Sequence, residues 1–231
     1  MESCRLPPQY APFHEAKMAE LWLIEGLPGT GKTTAAERLN ALCNARGLPA
    51  RWWLEEAKNH PVLPASLRKL SASPAFASLC IQAIRKFIDA EPGILILEGS
   101  AFQNTVRFMF ANEWPPIRIS AYVAAWAEAM APARPRLMMF KIDDPNTHYL
   151  DFLAEKRGAL WMNKLIAYVE STPVARSCGW KGVDGFVRFW TAYQKLCLDY
   201  EMMLPWPVCV ASGWSEAKAF DEEVALHFFC S

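Results

Sequence analysis

The sequence predicts an α/β protein built on a five-stranded parallel β-sheet flanked by helices, and three observations lead there. Short apolar runs at residues 21–24, 50–54, 94–97, 137–140 and 207–210 have the length and character of buried strands. Segments with helical spacing separate them, as parallel strands require, because each crossover must return the chain to the same edge of the sheet. A Gly-rich turn directly after the first run leads into a helical segment, the strand–turn–helix order typical of such sheets. Sites in this architecture lie where loops leave the carboxyl ends of the strands.

The elements follow in order. Leu21-Trp22-Leu23-Ile24 forms the first strand, and residues 32–44, rich in helix formers, the first helix. Residues 50–54 form the second strand. Between it and the third strand at 94–97, residues 74–90 place Phe76, Leu79, Ile81, Ile84 and Phe87 close to a helical period. Helices are expected at 105–111 and 119–130, and the fourth strand at 137–140. Asp144-Pro145 supplies an N-cap and a first-turn proline for a helix running to Lys156, which Gly158 ends. Residues 171–182, with Pro and Gly, read as a surface loop. The longest helix spans 184–203, with Phe186, Phe189, Trp190, Tyr193, Leu196, Cys197 and Tyr200 along one stripe; a homodimer is possible, and the sequence leaves open whether this helix forms its interface. The fifth strand at 207–210 completes the sheet.

Composition narrows the function classes. With 231 residues, 52% hydrophobic and 21% charged, the chain can bury one full core, which makes residues 20–231 a single domain behind an arm at 1–19. Lys plus Arg equal Asp plus Glu at 24 each, so no global field recruits nucleic acid or an anionic membrane. The seven cysteines are scattered and unpaired in spacing, which reads as reduced thiols. No apolar run reaches about 18 residues and the N-terminus lacks a signal-type apolar core, so a cytoplasmic, membrane-free protein is expected. The four histidines have no metal-ligand spacing, and nothing resembles a nucleophile elbow.

Gly26-Leu27-Pro28-Gly29-Thr30-Gly31-Lys32-Thr33 fits the phosphate-loop pattern of a glycine, four residues, then Gly-Lys-Thr. Glycine lets the backbone curl so that its N–H groups point at an anion, and the following helix adds its N-terminal partial charge. The pattern makes Gly26 through Thr33, with Thr34 next to it, the binding residues for ATP. Lys32 is expected to reach the outer phosphates and the Thr33 hydroxyl to ligate Mg²⁺.

With this loop, the third strand and residues 144–158 in place, the chain resembles the thymidylate kinase and deoxynucleoside kinase branch of P-loop kinases over about residues 20–215. That resemblance implies a P-loop NTPase fold, a helical lid near 156–182, and transfer of the γ-phosphoryl group of ATP to a nucleoside, a nucleotide or a related small molecule. Leu54-Glu55-Glu56 is similar to the position where these kinases set a carboxylate beside the acceptor hydroxyl, so Glu55 or Glu56 is the expected base. Glu98-Gly99-Ser100 resembles the Glu-Arg-Ser after the third strand, which makes Glu98 a catalytic and Mg²⁺ candidate, but Gly99 stands where the family has arginine. Ser100, Phe102 and Gln103, with Trp52, would line the acceptor pocket. Lys156-Arg157-Gly158 looks like the lid, with Arg157 its phosphate-facing arginine; Lys164, Arg176 and Lys181 are further basic candidates, and Trp214 is placed near the adenine. The missing arginine leaves an antibiotic or other specialised metabolite open as the acceptor. An ATPase or nucleotide-dependent switch without a small-molecule acceptor is the alternative from another class.

Overall fold

A computed structural model describes residues 19–212, 224 and 227–229, with the backbone alone at 151–153. The arm before Ala19 and Trp214 lie outside the described residues. Five parallel strands, β1 (Glu20–Gly26), β2 (Ala50–Trp53), β3 (Ile94–Glu98), β4 (Arg136–Lys141) and β5 (Val208–Ser212), form one sheet in the order β2-β3-β1-β4-β5. β1 therefore lies at the centre and hands the chain to the phosphate loop from the middle of the sheet. The central strands are buried on both faces, which accounts for their unbroken apolar runs, whereas β2 and β5 at the edges stay partly exposed.

The two-residue period of a strand divides the core. Leu21, Leu23, Leu95, Leu97, Leu137 and Met139 join the larger cluster, together with α3 (Phe76–Ala90), α5 (Pro116–Met130) and α9 (Gly182–Glu201). Trp22, Ile24, Ile94, Ile96, Met138 and Phe140 face α1 (Lys32–Ala45), where Ala35, Ala36, Leu39 and Cys43 pack against them. Phe228 closes this second layer by stacking on Trp22, ring centroids 5.1 Å apart.

Most sequence expectations hold to within two residues, and the differences have local causes. The helix expected at 119–130 begins three residues earlier because Pro116 sits in its first turn, where a missing N–H costs nothing. Residues expected to start an α-helix at 105 instead open as a π-helical turn, Phe102–Val106, before α4 (Arg107–Ala111). The helix capped by Asp144 is likewise π-helical over Thr147–Leu153 and becomes α6 only at Ala154–Arg157. Its cap is as expected: the Asn146 N–H and the Thr147 hydroxyl donate to Asp144 at 2.9 and 2.6 Å. Gly158, at φ +80°, ends it and starts α7 (Ala159–Glu170). The expected loop at 171–182 contains a short helix, α8 (Pro173–Ser177), because Thr172 accepts from the Ala175 N–H and Pro173 fills the first turn. The stripe on α9 packs inside the same chain, Phe186 meeting Tyr149 and Trp190 edge to face.

No helix among the described residues is long and apolar enough to cross a membrane.

Candidate active site

The site begins where β1 ends. Gly26 has φ +147°, and a Cβ there would stand 2.8 Å from the Phe140 carbonyl oxygen and 2.9 Å from the Phe140 Cβ. Only glycine lets the phosphate loop pass β4 this closely. Gly31 at φ +90° then turns the chain into α1, whose first residue is Lys32.

Lys32 is almost wholly buried. Its Nζ donates to the Leu27 carbonyl at 3.1 Å and pairs with Glu55 Oε2 at 3.3 Å. The loop lysine is thus folded over its own loop and toward the end of β2. Thr33, next along α1, donates its hydroxyl to Glu98 Oε1 at 2.7 Å. Glu98 sits on the α1 face because it shares parity with Ile94 and Ile96 on β3. Its second oxygen, Oε2, is buried and takes no hydrogen bond. Burial raises the Glu98 carboxyl above the ordinary range, while the Thr33 hydrogen bond and the Lys32 charge oppose that rise and Glu55 and Glu56 add to it. A buried, under-coordinated carboxylate beside a hydroxyl suits a hard divalent cation, so Thr33 and Glu98 fit Mg²⁺.

Glu55 and Glu56 are separated by the structure. Glu55 turns toward Lys32 with its side chain 15% exposed, whereas Glu56 is exposed. The glycine at 99 is explained by the same carboxyl group. Gly99 has φ +61°, and a Cβ on it would stand 2.6 Å from Glu55 Oε2 and 2.8 Å from Glu55 Cγ. A side chain at 99 and the observed position of Glu55 exclude one another.

The acceptor-side candidates divide. Ser100, Phe102 and Gln103 are buried in the turn that follows β3. Phe102 and Gln103 line a narrow apolar cleft with Leu27, Phe140, Tyr193 and Cys197, and the Gln103 amide oxygen has no partner there. Trp52 packs against the buried cluster on the α1 face of the sheet, which includes Ile94 and Ile96 of β3. Trp53, on the other face of β2, packs edge to face on Phe87 of α3 at 4.9 Å, which makes it core. Arg157 is exposed, its guanidinium 6.0 Å from the Trp161 ring, and makes no bond to the phosphate loop. Lys164, Arg176 and Lys181 are exposed too. What ties this region to the loop is His148, at the start of the second π-helical turn, which hydrogen-bonds the Pro28 backbone.

Sequence reasoning missed Glu25. It lies one residue before the loop, wholly buried, and accepts the N–H groups of Ala101 and of Gln103, the latter at 3.2 Å. It pins the turn after β3 to β1, the more so because Thr105 caps back onto the Ala101 carbonyl. Burial pushes its carboxyl up to about 8 against the pull of the two N–H groups; Glu55 raises it further and Lys32 lowers it. The signal was present as a carboxylate set into an apolar run. Asn104, Arg68 and Arg107, which also reach this side of the site, carried no motif. His60, dismissed as a metal ligand, accepts the Val62 and Leu63 N–H groups at Nδ1, both at 3.2 Å, and burial lowers its pKa to about 4, so it is a neutral turn anchor.

No protein-family model matches the chain, and no curated protein sequence matches it. Solved structures do. The YorR protein of Bacillus subtilis, in complex with phosphorylated GDP, superposes with a TM-score of 0.51 at 12% identity, over 89% of this chain and 94% of that one. A thymidylate kinase from Ehrlichia chaffeensis superposes at 0.48, 14% identical, over 89% and 96%. A deoxyadenosine kinase from M. mycoides with bound dATP superposes at 0.47, 10% identical, over 88% and 96%. Together with the sheet order and the loop, the first of these establishes an α/β fold of the P-loop NTPase type.

Proposed function

We propose that the chain is an ATP-dependent kinase that transfers a phosphoryl group to a hydroxyl or phosphate of a small molecule, a nucleoside, a nucleotide or a related metabolite, in the cytosol. The observation that carries this reading is the convergence of Lys32, Glu55, Thr33 and Glu98, linked in two pairs, Lys32 with Glu55 at 3.3 Å and Thr33 with Glu98 at 2.7 Å, across two strand ends and the loop helix. An ATP-binding module alone needs the loop. A carboxylate held against the loop lysine from a different strand is what a transferase adds.

The loop N–H groups and the N-terminus of α1 bind the phosphates, and Lys32 exchanges its Glu55 and Leu27 partners for phosphate oxygens. Glu55, no longer paired, faces the acceptor hydroxyl. As the acceptor oxygen forms its bond to phosphorus, its proton passes to Glu55 and the bond to ADP breaks, so charge and protons balance. Thr33 and Glu98 would hold Mg²⁺, which would neutralise charge on the outer phosphates. The region of about residues 156–182, which follows the His148 contact with the loop, acts as the lid, with Arg157 brought over the phosphates on closure.

Replacement of Glu98 by Gln separates the roles. Turnover is expected to fall by about 100-fold or more while ATP affinity changes by less than about tenfold, since a metal ligand counts most in the transition state. Unchanged turnover in that variant would remove Glu98 from the mechanism.

A further inference from the structure

Next to the Glu55 backbone and the turn after β3 stand two guanidinium groups with no carboxylate partner among the described residues. Arg68, at the end of α2 (Ala65–Arg68), donates from Nη2 to the Glu55 carbonyl at 3.0 Å and from Nε to the Leu63 carbonyl at 3.2 Å. Asn104 Nδ2 donates to the same Glu55 carbonyl at 3.1 Å, so the segment after β2 and the turn after β3 meet directly behind the proposed base. Arg107 lies one helical turn beyond Gln103. It donates from Nε to the Gln103 carbonyl at 2.8 Å and from Nη1 to the Tyr168 hydroxyl at 2.5 Å, and its charge lies 4.4 Å from the Phe108 ring centroid.

Every one of these acceptors is neutral. Among the described residues neither arginine is within ion-pair distance of a carboxylate. Each guanidinium has five N–H donors, so each keeps N–H groups for another acceptor. Both side chains are half-buried. Burial first, and then the charge of Arg107, holds Arg68 below its ordinary pKa, with Glu55 and Glu56 opposing the shift. The Glu55 carboxylate is already engaged by Lys32. Two like charges fixed near each other by neutral bonds are stabilised by a shared anion, and the guanidinium fork matches phosphate or carboxylate oxygens.

We propose that Arg68 and Arg107 bind an anionic group, a phosphate or a carboxylate, on the phosphoryl acceptor and so present its hydroxyl or phosphate oxygen to Glu55. The inference rests on the kinase reading for the identity of the ligand as acceptor. It narrows that reading, since neutral nucleosides and neutral antibiotics lack the group these arginines hold. It also gives a reason for tolerating Gly99: cationic side chains arrive from α2 and α4 instead of from the residue after Glu98.

The test is calorimetric binding to the full chain loaded with Mg²⁺ and a non-hydrolysable ATP analogue, so that the phosphate loop is occupied. The ligands are matched pairs: nucleosides with their 5′-monophosphates for the phosphate arm, and sugar alcohols with their aldonates for the carboxylate arm. Binding is expected for anionic members of one arm only. Arg68→Gln and Arg107→Gln are each expected to weaken it by about tenfold or more. Arg107→Lys should weaken it less, and affinity for the ATP analogue should stay unchanged in all three variants, which reports that they fold. Equal binding of neutral and anionic members, no binding of any anionic member at millimolar concentration, or unaltered binding in the Gln variants would overturn the proposal. Binding in the expected pattern without transfer from ATP would sustain the anion subsite and overturn the kinase reading instead.

Discussion

The carboxyl group of Glu55 organises its surroundings residue by residue. It pairs with Lys32 at 3.3 Å and occupies the space that any side chain at position 99 would need. Gly99 also sits at φ +61°, a conformation that costs a non-glycine residue on the order of 1 kcal/mol before any clash. Gly99→Ala is therefore expected to lower stability by about 1–3 kcal/mol and to reduce turnover by displacing Glu55. Denaturant unfolding measures the first effect. If the variant is as stable as the parent and fully active, Glu55 is not fixed where the structure places it. The sequence displayed Gly99 only as a departure from a family pattern. Its cause was hidden, because the fit between residues 55 and 99 is a contact across two strands that no local pattern encodes. The choice between Glu55 and Glu56 was hidden for the same reason, and period two alone does not say which face of β2 meets the acceptor.

Elements were legible wherever their cause is local. The phosphate loop, the five strands and the Asp144 cap could be read from spacing and residue type, since burial, glycine geometry and capping act within a few residues. The two π-helical turns, Phe102–Val106 and Thr147–Leu153, could not, because their register is set by partners distant in sequence. Glu25 holds the first and the His148 bond to Pro28 belongs to the second. A similar tie joins α9 to β4: the Gln194 amide accepts from the Ile142 N–H at 2.7 Å and donates to the Ile142 carbonyl at 2.8 Å. Gln194→Ala leaves both backbone groups without that partner, at a cost of about 1–3 kcal/mol. Hydrogen exchange at Ile142 should accelerate in this variant while β1 remains protected, whereas unchanged exchange would show that α9 is held by its aromatic packing alone.

At the scale of the whole molecule, charge and burial are coupled through the centre of the sheet. Glu25 is wholly buried with a pKa raised to about 8, against an ordinary value of 4.5 in the unfolded chain. Between those values the unfolded chain has lost the Glu25 proton and the folded one keeps it. Stability contributed by this group is therefore full below about pH 4.5 and falls as pH rises toward about 8. The raised pKa of Glu98 acts in the same direction. The expected result is an unfolding free energy that declines from mildly acidic to mildly alkaline pH, with a shallower decline in Glu25→Gln. Equal slopes in the two proteins would mean that Glu25 is ionised in the fold across this range.

The central claim is that the phosphoryl group moves to a small molecule. It is tested most directly by incubating the chain with Mg²⁺ and γ-labelled ATP together with pooled nucleosides, nucleotides and hydroxy acids, then identifying labelled products by mass. A labelled small molecule whose formation disappears in Lys32→Ala is the result predicted here, and label found only in free phosphate, at a rate that no added acceptor changes, would contradict it.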